Sequence, residues 1–188
     1  MKKIPLLLTV CFLSFTNYIA AQNVDFGLKG GLNIANVNVP DIDEDLNNLL
    51  SFHVGTFAEF KFNEKISLQP ELLYTRQGSE VVENNSKVKI DYLAMPILAK
   101  YYFFENLSLE VGPQISFLIN DKIEYIDSSI PDEETDASSF DFSLNFGLGY
   151  NLGSNMIIQT RYCYGVSAVY ENPDAKNSVF QISLGYKF

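Results

Sequence analysis

The chain has 188 residues, with 13 Lys and Arg against 23 Asp and Glu and a formal net charge of −10. Acidity of that size repels phosphate backbones and argues against any nucleic-acid partner. The length suits one domain, and nothing after Phe15 offers the ~20 apolar residues of a spanning helix.

Met1-Lys2-Lys3 opens with positive charge, Ile4 to Phe15 is almost wholly apolar, and Ala20-Ala21 supplies small residues before Gln22. This order predicts a secretory signal peptide over 1–21, cleaved after Ala21, and one β-barrel domain over 22–188. A buried N-terminal helix is the plain alternative. Cys11 raises a lipid anchor, but Val10 stands where a small residue is expected and the apolar run continues past it. After cleavage Cys163 is the sole cysteine, so no intramolecular disulfide can form. An inert, inward-facing thiol is expected there. An exported chain without disulfides or a spanning helix is either a soluble protein or a closed membrane barrel.

Period-2 alternation then marks strands in chain order. Over 24–36, Val24, Phe26, Leu28 and Leu32 alternate with Asp25, Gly27, Lys29 and Asn33. Over 52–62, Phe52, Val54, Thr56, Ala58, Phe60 and Phe62 oppose His53, Gly55, Phe57, Glu59 and Lys61. Ile66 to Tyr74 follows the same rule, with Glu71 and Leu73 on the second face. Val88 to Phe103 is less regular. From 107 to 119, Leu107, Leu109, Val111, Ile115 and Phe117 oppose Ser108, Glu110, Gly112 and Gln114, with Leu118 as an exception. Phe140 to Leu152 is cleanly split, Met156 to Val169 is blurred, and Val179 to Phe188 puts Phe180, Ile182, Leu184, Tyr186 and Phe188 on one face.

Eight strands result, most of them longer than the ~9–11 residues that a tilted strand needs to cross a bilayer. Long polar connections at about 38–50, 79–87, 121–138 and 171–177 alternate with tight turns at 63–65, 104–106 and 153–155. The fold class expected is an all-β, eight-stranded antiparallel transmembrane up-and-down β-barrel with both ends on the short-turn side. Charges decide which face meets lipid. Asp25, Lys29, Glu59, Lys61, Glu71, Lys100, Glu110, Asp141, Arg161 and Lys187 fall on the polar faces and are expected to form a charge network in a narrow, filled lumen. Tyr74, Tyr101, Phe103, Tyr150, Tyr162, Tyr186 and Phe188 lie near strand ends, where interfacial girdles sit. Pro70, Pro96 and Pro113 each remove a ladder donor, which bulges are expected to absorb.

Three runs resemble a known family. They are Gly27-Leu28-Lys29-Gly30-Gly31-Leu32-Asn33, Leu68-Gln69-Pro70-Glu71-Leu72-Leu73-Tyr74-Thr75-Arg76-Gln77-Gly78, and Asp91-Tyr92-Leu93-Ala94-Met95-Pro96-Ile97-Leu98-Ala99-Lys100-Tyr101-Tyr102. They are similar to the opening, "QPELLY" and "YLxIPLLxKYY" strands of the PorT-like outer-membrane β-barrel family. Ala94 replaces a usual acidic residue and Met95 a usual isoleucine. The resemblance implies an eight-stranded barrel inserted by the outer-membrane assembly machinery, with Tyr186 and Phe188 as the C-terminal signal that machinery reads. The member that names the family is tied to secretion and gliding, a role that does not transfer by fold.

Chemistry-bearing patterns are sparse. His53 is the single histidine, and Ser51 lies two residues away on the same face. An envelope-lipid hydrolase would need a base, an orienting partner and a reachable nucleophile; no such signature is present, and His53 reads as a polar lumen residue near a rim. Asp41 to Asp45, and Asp132-Glu133-Glu134 with Asp136, are acidic loop groups able to bind divalent ions that bridge to lipopolysaccharide or between loops, though Leu46 and Phe52 break a calcium-loop pattern. No zinc, phosphate-loop or dinucleotide signature appears, so no cofactor, metal or catalytic residue is assigned. The expected role is a non-enzymatic envelope protein with a plugged lumen and acidic outer loops. Its expected partners are outer-membrane lipid, lipopolysaccharide, the assembly machinery and envelope or secretion proteins. A soluble lipocalin-like binder, with the Phe140 to Leu152 face lining a cavity, is a competing architecture. A pore is disfavoured by the narrow lumen.

Overall fold

The structure is a computed structural model and describes residues 24–38, 46–81, 86–125, 135, 137–171 and 174–188. The expected signal peptide and both acidic loop groups lie outside the described residues. Nine strands are present among the described residues: β1 (Val24–Asn38), β2 (Leu46–Lys61), β3 (Ile66–Val81), β4 (Ser86–Phe104), β5 (Leu107–Tyr125), β6 (Phe140–Leu152), β7 (Met156–Gly165), β8 (Tyr170–Glu171) and β9 (Asp174–Lys187). All neighbours are antiparallel in the order β1 to β7 and then β9, and β9 pairs back with β1 from Gly27↔Lys187 to Asn38↔Lys176. β8 is only a two-residue flap on β9. Eight strands therefore close into a barrel whose ladder has no edge, as an apolar medium demands.

The turns at 62–65, 105–106 and 153–155 share one end of the barrel with the start of β1 and the end of β9; we call it the turn end, and the opposite end the loop end. Asn63 builds the first turn by accepting from the backbone N–H groups of Lys65 and Ile66 at 2.8 and 2.9 Å. An Asx side chain does this readily, mimicking a backbone turn.

The strands run further than the alternation indicated. β2 begins at Leu46, β3 reaches Val81, β4 begins at Ser86 and β5 reaches Tyr125, so much of the expected loop sequence is strand. The cause is visible on the outer face. Above Leu93 and Phe117 it changes from apolar to charged: Arg76 pairs with Asp91 at 2.6 Å, Lys87 with Glu80 at 2.7 Å, and Lys89 with Glu124. Once a strand leaves lipid, both faces are polar and the period-2 signal vanishes. β4 and β5 have 19 residues each; at ~3.3 Å per residue and a tilt of ~40° they rise roughly 48 Å, against a hydrocarbon core of ~30 Å. The loop-end parts of β4 and β5 thus extend well beyond the apolar band, whereas β6 and β7 have 13 and 10 residues.

The irregularity of β4 has a local cause. The inward face of β4 carries Ile90, Tyr92, Ala94 and Leu98, so both faces of the strand are apolar, and Asp91 on the outer face is buried by its pair with Arg76; the nearby bulge, with Ile119 as the extra residue, belongs to β5. The prolines do not sit at such shifts. Pro70 and Pro96 flank short gaps in the ladder, and the register is the same on either side, as in Phe57↔Glu71 and Phe60↔Leu68. Pro113 lies within an unbroken β5–β6 pairing.

Apolar side chains cover the outside: Leu32 is 55% exposed, Phe146 51% and Leu184 50%. The Phe140 to Leu152 face is part of this exterior, which removes the lipocalin-like arrangement. Aromatics gather at both margins, with Phe104, Tyr150, Tyr186 and Phe188 at the turn end and the Phe52–Tyr74 and Phe117–Phe140 pairs (5.8 and 5.9 Å) towards the loop end. Phe146→Arg, in the middle of the band, should lower unfolding stability in lipid vesicles by ~2–4 kcal/mol, and Phe104→Arg at the margin by ~0–1; urea titration of the refolded barrel compares them.

Candidate functional site

The interior is built from every second residue of eight strands, so its chemistry is a matter of which inward side chains meet across the lumen. At the turn-end rim, Asp25 accepts from Lys61 at 2.7 Å and lies 3.7 Å from Lys187. Asp25 and Lys61 are partly solvated here and stand outside the sealed interior. One step inward, Glu59 takes Lys187 at 3.3 Å, the Tyr102 hydroxyl at 2.5 Å and the Ser67 hydroxyl at 2.7 Å. Lys100 lies between Glu59 and Glu110 at 3.5 and 3.4 Å and donates to Gln69 at 2.9 Å.

Next comes the centre. Arg161 grips Glu71 with both terminal nitrogens, at 2.8 and 2.9 Å, and reaches Glu110 at 3.6 Å. Lys29 donates to Glu71 at 3.2 Å and to Gln159 at 2.8 Å, while Gln159 donates to Glu110 at 2.7 Å. Four cations (Lys29, Lys100, Arg161, Lys187) thus meet three carboxylates (Glu59, Glu71, Glu110), and Asp25 supplies the fourth. Space for this comes from small residues: a Cβ on Gly149 would collide with Glu110 Oε1. Charges so far from water hold only when paired and hydrogen-bonded at once, which the neutral linkers Ser67, Gln69, Tyr102 and Gln159 achieve. Not all of the lumen is polar. Phe57, Leu73, Leu98 and Ile157 are buried there too.

Above this cluster lies His53, within the lumen and not near a rim, because β2 starts at Leu46. Its Nδ1 is 2.7 Å from Asn33 Oδ1 and its Nε2 is 2.7 Å from Ser183 Oγ. Asn33 Nδ2 donates to Thr75 Oγ1 and to the Phe52 and Arg76 carbonyls, which leaves Oδ1 to accept. The ring proton therefore sits on Nδ1, and Nε2 accepts from Ser183. This hydroxyl–imidazole–amide order is that of a hydrolytic triad, yet His53 is 1% and Ser183 3% exposed, out of reach of any substrate. Ser51 takes no part; its hydroxyl donates to the Arg76 carbonyl at 2.7 Å.

Asp141 stands apart from all the cations. It hydrogen-bonds Ser143 at 2.6 Å and Ser167 and Asn177 at 3.4 Å. Cys163 packs with Ala35 and Val179. At the loop end Ile90, Tyr92 and Val169 form an apolar cluster, joined by Val88, Leu118, Ala137 and Tyr170. Among the described residues no group of three or more His, Cys, Asp or Glu side chains is disposed to hold a metal. Tyr186 and Phe188 meet edge to face at 5.8 Å on the outer surface. The neutral linkers and the Ser183 and Asn33 contacts of His53 were beyond sequence reasoning. Their inward parity was legible, but which residues meet across the lumen depends on the stagger of the closed barrel.

An apolar outside, a charged and filled inside and a closed eight-stranded ladder define a transmembrane barrel of the outer-membrane kind. Residues 20–171 match the outer membrane protein beta-barrel domain, and the chain belongs to that family. No curated protein matches the sequence. Among solved structures, Neisserial surface protein A is similar with a TM-score of 0.63 at 14% identity, over 87% of this chain and 97% of that one. Ail, the attachment invasion locus protein of Yersinia pestis, is similar with a TM-score of 0.54 at 20% identity, over 87% of this chain and 98% of that one. At such identities the likeness is one of fold.

Glu71→Gln leaves Arg161 and Lys29 without their shared countercharge and should cost ~3–5 kcal/mol. Asp25→Asn at the solvated rim should cost less than ~1 kcal/mol. Urea midpoints of the refolded variants measure both.

Proposed function

We propose that this chain is exported by its 1–21 signal peptide and works in the outer membrane as a non-enzymatic structural or interaction protein of the cell envelope. Its lumen is a plug, and its contacts are made by the loop end and its long acidic loops. The observation that carries this reading is the central cluster: Lys29, Glu59, Glu71, Lys100, Glu110, Arg161 and Lys187 are each no more than 5% exposed and tie the strands together across the space a solute would need. A pore or a transporter would leave that space to water. The sealed position of His53 supports the absence of enzymatic turnover. In this reading the turn end faces the periplasm, the aromatic margins meet lipid, and the loop-end parts of β4 and β5 reach past lipopolysaccharide headgroups. Tyr186 and Phe188 serve the assembly machinery. We also place the chain among the PorT-like members, on the strength of the 68–78 and 91–102 runs.

Purified barrel in planar lipid bilayers should give no unitary conductance steps, and the protein should fractionate with the outer membrane as a band whose mobility changes on boiling. Steady ion-sized steps would overturn the plug; recovery in the soluble fraction would overturn the membrane assignment. His53→Ala should assemble normally.

A further inference from the structure

The register of β3, β4 and β5 sets their outer wall in rows. Tyr74, Leu93 and Phe117 lie side by side at the upper margin of the apolar band. The next row holds Arg76, Asp91 and Asn120. Above it stand Gly78, Lys89 and Lys122, and then Glu80, Lys87 and Glu124. Four cations thus share three neighbouring strands with three carboxylates, in a chain where 23 Asp and Glu outnumber 13 Lys and Arg.

The third of these rows is built for an anion. Lys89 and Lys122 are direct cross-strand partners, and like charges in that relation repel. Both turn to Glu124, Lys122 from 3.7 Å, so one carboxylate is shared by two ammoniums. The row itself holds no acidic residue. Beside Lys89 stands Gly78, whose φ is +127°; a Cβ there would lie 1.9 Å from the Val88 carbonyl oxygen, so the backbone admits no side chain at that place. The wall is therefore notched next to the lysine pair. Arg76 borders the notch from below, held by Asp91 at 2.6 Å and lying 5.7 Å over the Phe52 ring. A phosphate monoester, with a charge of about −1.5 to −2 and three strong acceptor oxygens, suits two facing ammoniums better than one carboxylate does.

Height selects the source of that phosphate. A step of two residues along a strand tilted by ~40° climbs ~5 Å, so the Arg76 row stands ~5 Å and the Lys89–Lys122 row ~10 Å above the apolar margin. The headgroup layer is ~5–8 Å deep on each side of the hydrocarbon, and lysine stems are long enough to lean into it. The aromatic pairs Phe52–Tyr74 and Phe117–Phe140 mark the interface just beneath.

We propose that this face of β3–β5 is a docking surface for the phosphate headgroup of an outer-leaflet lipid, with Lys89 and Lys122 binding the phosphate beside Gly78 and Arg76 flanking it. On the outer-membrane reading, on which this proposal rests, the barrel meets phosphorylated lipid through β3–β5 and not evenly around its girth.

The test is urea unfolding of the full barrel refolded in phosphatidylcholine vesicles, with and without a minor fraction of phosphatidic acid, whose headgroup is a phosphate monoester. The wild type should show a higher midpoint with phosphatidic acid. Lys89→Gln combined with Lys122→Gln should abolish that rise, the loss of two charge-assisted contacts lowering apparent lipid affinity roughly tenfold. Lys122→Gln alone should remove part of the rise, which keeps the proposal testable should the double variant not refold. Lys61→Gln combined with Lys65→Gln, at the turn end, should keep it. No rise in the wild type would overturn the site, as would a rise that survives the double variant or an equal one from a charge-matched fraction of oleate. An equal rise from inorganic phosphate in plain phosphatidylcholine vesicles would overturn the lipid as the source. A barrel that fractionates with the outer membrane yet ignores phosphatidic acid defeats the docking surface alone; one recovered in the soluble fraction defeats the membrane reading beneath it.

Discussion

The hydrocarbon core of a bilayer offers no hydrogen-bond partner, and most of this structure follows from that. Every backbone N–H and C=O in the spanning region must find another strand, so β9 has to meet β1. With eight strands the closed cylinder is just wide enough to be filled by its own side chains. The alternation that turns Leu28, Leu148 and Leu184 outward therefore drives Lys29, Gly149 and Gly185 inward, to face one another across the lumen. Tight turns at one end and longer connections at the other are then the remaining freedom, and the extended loop-end parts of β4 and β5 are where the chain uses it.

Filling such a space with charge is costly, and the arrangement shows how the cost is met. Arg161 addresses Glu71 through two nitrogens, and each of the carboxylates Glu59, Glu71 and Glu110 receives further donors from neutral groups. Removing one member strands the others, so the cluster acts as a unit. Towards the turn end the four cations Lys29, Lys100, Arg161 and Lys187 meet Glu59, Glu71, Glu110 and Asp25, while Asp141 is held apart from them near the loop end. That separation distinguishes the upper lumen from the lower one.

The membrane-facing half of this design was legible in the sequence because lipid imposes the same rule on every strand: Phe140 to Leu152 and Phe180 to Phe188 could be assigned to faces residue by residue. Strand ends were not. Glu80, Lys87 and Glu124 read as loop because they lie above the lipid, where an outer face needs no apolar residue. β4 was blurred because its inward face is apolar as well, with Ile90, Tyr92, Ala94 and Leu98 turned into the lumen. Inward parity named Lys29, Glu71 and Arg161 as interior groups, but the meeting of Arg161 with Glu71, 90 residues away in the chain, is a product of closure. The contact of His53 with Ser183 likewise joins β2 to β9 across the lumen, and no local signal encodes it.

The pairing of β1 with β9 has a kinetic consequence. These strands are the most distant in the chain and are neighbours in the barrel, as the Phe188 N–H to Phe26 carbonyl bond at 2.9 Å makes plain. The seam is thus the contact with the longest loop to close, and long-range pairing is slow to form. Until it forms, a nascent sheet carries two bare edges, each a template for another chain. Such a protein needs custody from synthesis until its last strand arrives, and its completion is a single late event.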